Sequence, residues 1–291
     1  MRTMILTTQT DRLGIRLGDE KAVEILCRAG FDALDYSMFG LHNPEHPLNG
    51  PDFESYVQNL KKKAAAYGVT FRQAHAPFPS CRENDEDYNQ VTFTRIVRAM
   101  EVVSVLGARI IVVHPTCISR ADEMKQYNLD FYRRLQPYCE KLGVKVALEN
   151  MWGRNKVTGR ICPNVCSTGK ELCGYIDELD SRYFTVCLDL GHCGLVGEDA
   201  ADMVRTVGHD RLKALHVHDN DNASDSHTAP YFGKMNWDSI TQALADIRYD
   251  GDFTFEADRF YDLFPDSLLP SAAKFLHDIG RSLISMIESK S

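Results

Sequence analysis

Short apolar runs rich in β-branched residues alternate, from Met4 to Ile287, with longer stretches whose apolar residues recur every three or four positions. The short runs predict eight strands: Thr3–Thr8, Ala33–Ser37, Thr70–His75, Ile110–His114, Lys145–Glu149, Thr185–Asp189, Ala214–His218 and Thr254–Glu256. The longer stretches predict the helices Asp19–Ala29, Phe53–Tyr67, Asp87–Leu106, Glu123–Leu142, Lys170–Asp180, Ala200–Gly208, Trp237–Asp246 and Ala272–Glu288. Gly30, Gly68, Gly107, Gly143 and Gly251 each fall between a helix and the next strand, where a left-handed residue ends a helix. No Pro/Ser-rich linker, charge block or low-complexity segment breaks the alternation, so residues 1–291 read as one domain.

Strand–helix alternation implies a parallel sheet, and eight units of about 36 residues match the scale of a closed (β/α)8 TIM barrel. The competing fold is an open, doubly wound sheet. That architecture usually carries fewer strands and a Gly-rich first turn, and no Gly-x-Gly-x-x-Gly follows the first strand here.

Composition narrows the partners. A chain 44% hydrophobic and 25% charged is ordinary for a globular protein, and no apolar run approaches the roughly 18 residues that a membrane span needs. The apolar stretch at the N-terminus is too short for a signal peptide and already reads as a strand, so a cytoplasmic location is expected. Nine cysteines, an odd number without paired spacing, suit reduced thiols there; Cys162 and Cys166 share a loop, but no second pair completes a zinc knuckle. A net charge of −8 argues against a nucleic-acid partner, which calls for a basic surface. The oligomeric state stays open, a homo-oligomer included.

The chemistry lies in where metal-capable side chains fall. His75, His114, Glu149, Asp189, His216 with His218, and Glu256 close six successive predicted strands. In a barrel all these C-terminal ends meet on one face, so residues 27 to 40 positions apart converge. Strand alternation turns Leu148, Leu188, Val217 and Phe255 outward to the helices and Glu149, Asp189, His216 and Glu256 inward, above the small residues Ala147, Cys187, Ala214 and Thr254. One such polar residue is ordinarily a satisfied buried group. Several carboxylates and imidazoles in one mouth are costly unless a cation joins them. Mixed ligation of this kind suits Mn²⁺, Co²⁺, Zn²⁺ or Fe²⁺, with Mg²⁺ where oxygen dominates.

Three local motifs sharpen this: Leu188-Asp189-Leu190-Gly191-His192, His216-Val217-His218-Asp219-Asn220-Asp221 and Asp225-Ser226-His227. Together they resemble the xylose isomerase-like barrel superfamily, which spans sugar and sugar-phosphate isomerases and epimerases, inosose-processing enzymes and the endonuclease IV group. The resemblance covers nearly the whole chain. In its epimerase branch it implies one divalent ion held by Glu149, Asp189, His216 and Glu256, with the two glutamates doubling as acid/base catalysts and His192 binding substrate. His216 is preferred to His218 on the His-x-x-Asp spacing to Asp219, although both face the site. His75 in Ala74-His75-Ala76-Pro77-Phe78, His114 in Val113-His114-Pro115, and likewise His218, Asp225 and His227 match positions that touch substrate or hold a further metal.

Moving a proton beside a carbonyl requires a base near the C–H and a group that stabilises the enediolate oxygen. A divalent ion chelating carbonyl and hydroxyl serves the second need, and a carboxylate on each face of a small carbohydrate serves the first. Trp152 offers an apolar wall for a sugar face, as do Phe78, Phe260 and Tyr261. Arg154, Arg160 and Arg259 are candidates for a substrate phosphate or carboxylate, though no Gly-rich phosphate cradle is present and a nonphosphorylated substrate is preferred. Two rivals stand. His75, His114, Glu149, Asp189, His192, His216, Asp225, His227 and Glu256 also resemble the nine ligands of an endonuclease IV-like trinuclear zinc phosphodiesterase acting on abasic DNA, and a barrel can bind sugar without catalysis.

Overall fold

The computed structural model describes residues 3–290; residues 1, 2 and 291, the ends of the predicted single domain, lie outside the described residues. Every predicted strand is present: β1 (Leu6–Gln9), β2 (Ala33–Ser37), β3 (Thr70–His75), β4 (Ile110–Val113), β5 (Lys145–Glu149), β8 (Phe184–Asp189), β9 (Leu212–His216) and β10 (Phe253–Phe255). They pair in parallel in the order β10-β1-β2-β3-β4-β5-β8-β9. Val217 N–H donates to Thr254 O at 2.9 Å and Glu256 N–H to Val217 O at 3.1 Å, which joins β9 to β10. This junction rules out the open sheet: the fold is a TIM barrel, with its helices outside the strands.

Helices α2 (Asp19–Ala29), α3 (Phe53–Ala65), α4 (Glu86–Leu106), α5 (Ala121–Leu142), α6 (Gly169–Ile176), α8 (Ala200–Arg211), α9 (Trp237–Asp246) and α10 (Leu269–Lys290) fill the predicted positions. Additional elements are α1 (Asp11–Leu17), α7 (Leu190–Leu195) and an antiparallel hairpin of β6 (Trp152–Arg154) with β7 (Ile161–Pro163). They are too short for a periodic signal. Gly30, Gly68, Gly107 and Gly143 do take positive φ. Gly251 does not; the left-handed residue after α9 is Arg248, at φ 53°. Gly251 serves another purpose, since a Cβ there would lie 2.6 Å from the Lys213 carbonyl and against the Tyr249 ring.

Strand ends differ by one to three residues from the pattern. β1 starts at Leu6 and continues to Gln9, and β9 stops at His216 rather than His218. His114 and Glu256 stand one residue beyond β4 and β10, where the chain leaves the ladder at the barrel mouth.

Two apolar compartments result. Leu148, Leu188, Val217 and Phe255 belong to the main core between strands and helices, whereas Val112, Ala147, Cys187 and Ala214 form a small separate cluster inside the barrel. These short side chains fill the barrel axis beneath the inward-facing Glu149, Asp189, His216 and Glu256. The opposite mouth opens a groove of about 1140 Å³ lined by Arg72, Arg109, Lys145, Arg182 and Lys213, and no candidate ligand reaches it.

Gly280 sets how closely α10 lies on the barrel. A Cβ there would stand 2.6 Å from Leu6 Cδ1 and 2.7 Å from Phe255 Cε2, both in fully buried side chains. Gly280→Ala is therefore expected to lose about 1–2 kcal/mol of stability despite alanine's higher helix propensity. A lower urea midpoint with an unchanged slope is the readout.

Candidate active site

The convergence at the C-terminal mouth is tight. Glu149, Asp189, His216 and Glu256 each offer a ligand atom within 4.8 Å of the other three, and all four side chains are buried. His216 Nδ1 lies 3.0 Å from Glu149 Oε1 and 3.1 Å from Glu256 Oε2. Gln9 Nε2 donates to Glu256 Oε1 at 2.9 Å, and Asn150 Nδ2 donates to the Asp189 carbonyl while its Oδ1 accepts from Asp189 N–H. Each ligand-capable side chain thus sits at or just beyond the end of its own strand, and uncharged neighbours brace the Glu256 side chain and the Asp189 backbone.

Three further groups overlap or flank the first, one of them His75 with His216 and Glu256. His75 Nε2, His114 Nε2 and a Glu149 oxygen converge: the two imidazole nitrogens are 3.0 Å apart, and His114 Nε2 is 2.9 Å from Glu149 Oε2. That buried oxygen has no aligned hydrogen-bond donor. On the other side His192, His218, Asp225 and His227 gather. His218 Nε2 lies 3.0 and 3.1 Å from the two Asp189 oxygens, and its ring stacks on His227 at 4.1 Å. His227 Nε2 is 3.1 Å from Asp225 Oδ2, while Asp225 Oδ1 is buried without a partner. His216 therefore falls in the four-residue group with the two glutamates, and His218 in the flanking one.

Backbone carbonyls select which nitrogen faces inward. The Nδ1–H of His75 donates to Ala76 O, that of His192 to Asn150 O and that of His227 to Glu256 O, each at 2.8 Å. Their Nε2 atoms are left to the site, the arrangement by which ligating imidazoles are normally oriented. Asp219 organises the loop after β9. Its buried carboxylate accepts from the N–H groups of Asn220, Tyr231 and Met235 at 2.9, 2.9 and 3.1 Å and from Trp237 Nε1 at 2.9 Å. Those four bonds pin the segment that carries Asp225 and His227.

Electrostatics follow from burial and crowding. Burial pushes the Glu149 carboxyl up, but the charges of His216 and His114 outweigh it and hold it well below the usual carboxylate range. Burial also opposes the charge on His216, yet Cys187, Glu256 and Glu149 raise its pKa well above the ordinary value. His192 is pushed up to about 10, because Asp189 and Asp225 overcome the cost of burying its charge. His114 is lowered by burial. With no cation in place, protons on imidazoles balance the carboxylates, and a divalent ion would take over that balance. Four convergent, buried N and O donors fit such an ion.

Other predicted residues are placed as follows. Trp152 Nε1 donates to Asp225 Oδ2 at 3.2 Å, and its ring meets His192 edge-on. Phe78 is half exposed and leans on His75 and His114, forming part of the rim. Phe260 and Tyr261 are buried in the core rather than lining the mouth. Arg154 and Arg160 are exposed on the hairpin, and Arg154 lies over the Trp152 ring. Arg259 is exposed, and among the described residues no hydrogen bond or ion pair joins it to the cluster. Gln9, Asn150, Asp35 (3.7 Å from His216 Nε2) and Asp258 (3.6 Å from His227 Nδ1) are the participants that motif reading misses. The inward phase of β1 and β2 is the signal for Gln9 and Asp35.

The chain belongs to the xylose isomerase-like TIM barrel family, which it matches over residues 23–279. Among its relatives is a ketose 3-epimerase of Arthrobacter globiformis, 25% identical over 269 residues that make up 87% of this chain and 81% of that protein. The solved structure of a D-tagatose 3-epimerase-like protein superposes with a TM-score of 0.75 at 22% identity, over 99% of both chains. That of IolI with a bound zinc atom gives 0.74 at 17% identity, over 97% of this chain and 98% of that one.

Metal uptake by the four-residue group displaces a proton from His216, whose pKa is raised well above the ordinary value when no cation is present. Affinity for Mn²⁺ or Zn²⁺ is thus expected to weaken as pH falls from 8 to 6, by about tenfold per pH unit for each proton displaced. Calorimetry in buffers of different ionisation enthalpy measures the protons released.

Proposed function

We propose that the protein is a divalent-metal-dependent sugar isomerase or epimerase of the ketose 3-epimerase kind, acting on a nonphosphorylated carbohydrate. One observation carries this reading: two buried glutamates, Glu149 and Glu256, approach the same His216 nitrogen at 3.0 and 3.1 Å, with Asp189 in the same group. The ketose 3-epimerase among its relatives supports it.

Glu149, Asp189, His216 and Glu256 would hold the ion. When bound, it supplies positive charge to the carbonyl oxygen on which negative charge develops. One glutamate oxygen accepts the proton from the carbon beside the carbonyl; the C–H electron pair moves into a C=C bond, giving the enediolate. The other glutamate, protonated by exchange with solvent before substrate closes the mouth, donates its proton to the opposite face, which inverts that carbon, and both glutamates regain their starting states by exchange once product leaves. With no cation present, the surrounding imidazoles outweigh burial and hold both carboxyls below the usual carboxylate range, so the accepting glutamate is ionised. His192 and Trp152 border the same mouth and are placed to touch hydroxyls and a sugar face. The buried walls exclude water, which limits loss of the abstracted proton.

A second reading has its own observation. The nine side chains of the phosphodiesterase pattern all fall within four overlapping groups, His75–His114–Glu149, His75–His216–Glu256, Glu149–Asp189–His216–Glu256 and His192–His218–Asp225–His227. A net charge of −8 and the carbohydrate-directed relative weigh against a DNA substrate. Metal-dependent cleavage of a duplex with an abasic site would favour the phosphodiesterase. Binding of ketoses with no conversion would favour a barrel without catalysis.

In D₂O with Mn²⁺ and a panel of free ketoses, the protein is expected to place deuterium on the carbon next to the carbonyl. Glu256→Gln should keep the fold and lose about 10²–10⁴-fold in turnover. Undiminished turnover in Glu256→Gln ends the proposal.

A further inference from the structure

Taking the four-residue group to be a metal centre, we propose that Asp35 is a positioning residue for His216. Its carboxylate, buried inside the barrel, holds the imidazole with Nε2 protonated and Nδ1 turned to the ion.

Inward phase and register bring the pair together. Asp35 stands on β2 between Ala33 and Ser37, paired with Gln9 on β1 and Gln73 on β3. An irregularity in register between Leu34 and Asp35 sets it opposite Gln73, whose Nε2 donates to Asp35 Oδ2 at 2.8 Å. The same oxygen lies 3.7 Å from His216 Nε2. Both side chains are fully buried, and Asp35 Oδ1 and His216 Nε2 have no hydrogen-bond partner.

Two arguments turn this proximity into a role. A carboxylate sealed inside a barrel costs several kcal/mol of desolvation, and one amide donor does not offset it. Such a group persists where it faces a positive partner, and His216 is the imidazole within reach. The second argument is contrast. His75, His192 and His227 each fix their outer nitrogen on a backbone carbonyl and offer Nε2 to the site. His216 presents the other nitrogen, Nδ1, to Glu149 and Glu256. No backbone carbonyl is hydrogen-bonded to its Nε2, so the carboxylate takes the carbonyl's place in orienting the ring. Binding of a cation at Nδ1 draws electron density from the ring and makes Nε2–H a stronger donor toward Asp35.

The test uses Co²⁺, whose visible absorption reports its ligand geometry. Wild-type protein is expected to bind Co²⁺, and Asp35→Asn to bind it about 10–100-fold more weakly with a shifted spectrum. The metal-free variant should melt at or above the wild-type temperature, because a buried charge has been removed. In a His216→Ala background, Asp35→Asn should change Co²⁺ affinity no further. Wild-type affinity and spectrum in Asp35→Asn would overturn the role while leaving the metal centre intact; absence of Co²⁺ binding by the wild type would overturn both. Should the variant not fold, the ¹⁵N NMR tautomer of His216 in metal-loaded wild type decides. A proton on Nε2 supports the role, and a bare Nε2 overturns it.

Discussion

Too many ionisable groups share one dry space in this protein, and the rest of its structure answers that constraint. Glu149, Asp189, Glu256, His216 and His218 are almost wholly sequestered from water, and His192, Asp225 and His227 stand beside them. In a low-dielectric mouth each bare charge is expensive, and like charges at these separations repel. Imidazolium protons can neutralise the carboxylates, as the shifted pKa values indicate. A divalent cation does so better, with one centre facing several donors at once. On that reading the barrel's design is legible: small residues fill the axis below, hydrophobic residues face the helices, and the strand ends project donors toward a common point.

Fixed ring orientation is the second requirement. A ligand that must find its geometry on binding loses affinity to ordering, whereas one locked in advance does not. Backbone carbonyls lock three imidazoles, Asn150 braces the Asp189 backbone, Gln9 braces Glu256, and the four N–H groups around Asp219 pin the loop that carries Asp225 and His227. Those braces come from strands and loops far apart in sequence. They make the mouth a rigid receptor, suited to a small polyhydroxylated molecule.

Much of this was legible before any coordinates. Short uninterrupted apolar runs, set against longer stretches of period 3.6, located every strand of the barrel, because parallel strands buried on both faces carry such runs. The converging side chains were visible as one repeated position, the strand end. What escaped had weak local signals. α1, α7 and the β6–β7 hairpin are too short for periodicity, and the left-handed residue after α9 is Arg248 instead of Gly251, whose lack of a side chain serves its close packing on Lys213 and Tyr249. Gln9 and Asp35 were overlooked because they lie on early strands without a metal-capable motif, although strand phase turned them inward. Phe260 and Tyr261, expected at the mouth, lie on the 3-10 turn after β10 and are buried in the core, with the Phe260 ring 6.4 Å from that of Phe275 on α10. Choosing His216 over His218 rested on spacing alone; the structure separates the two by the company each keeps.

Anomalous X-ray diffraction at the absorption edge of the metal in crystals of the protein tests the shared-ion claim most directly. The account predicts an anomalous peak about 2.0–2.3 Å from carboxylate oxygens of Glu149, Asp189 and Glu256 and from Nδ1 of His216. Fully metal-supplemented crystals with no peak among those four side chains, or with the four drawn too far apart to share one ion, would contradict it.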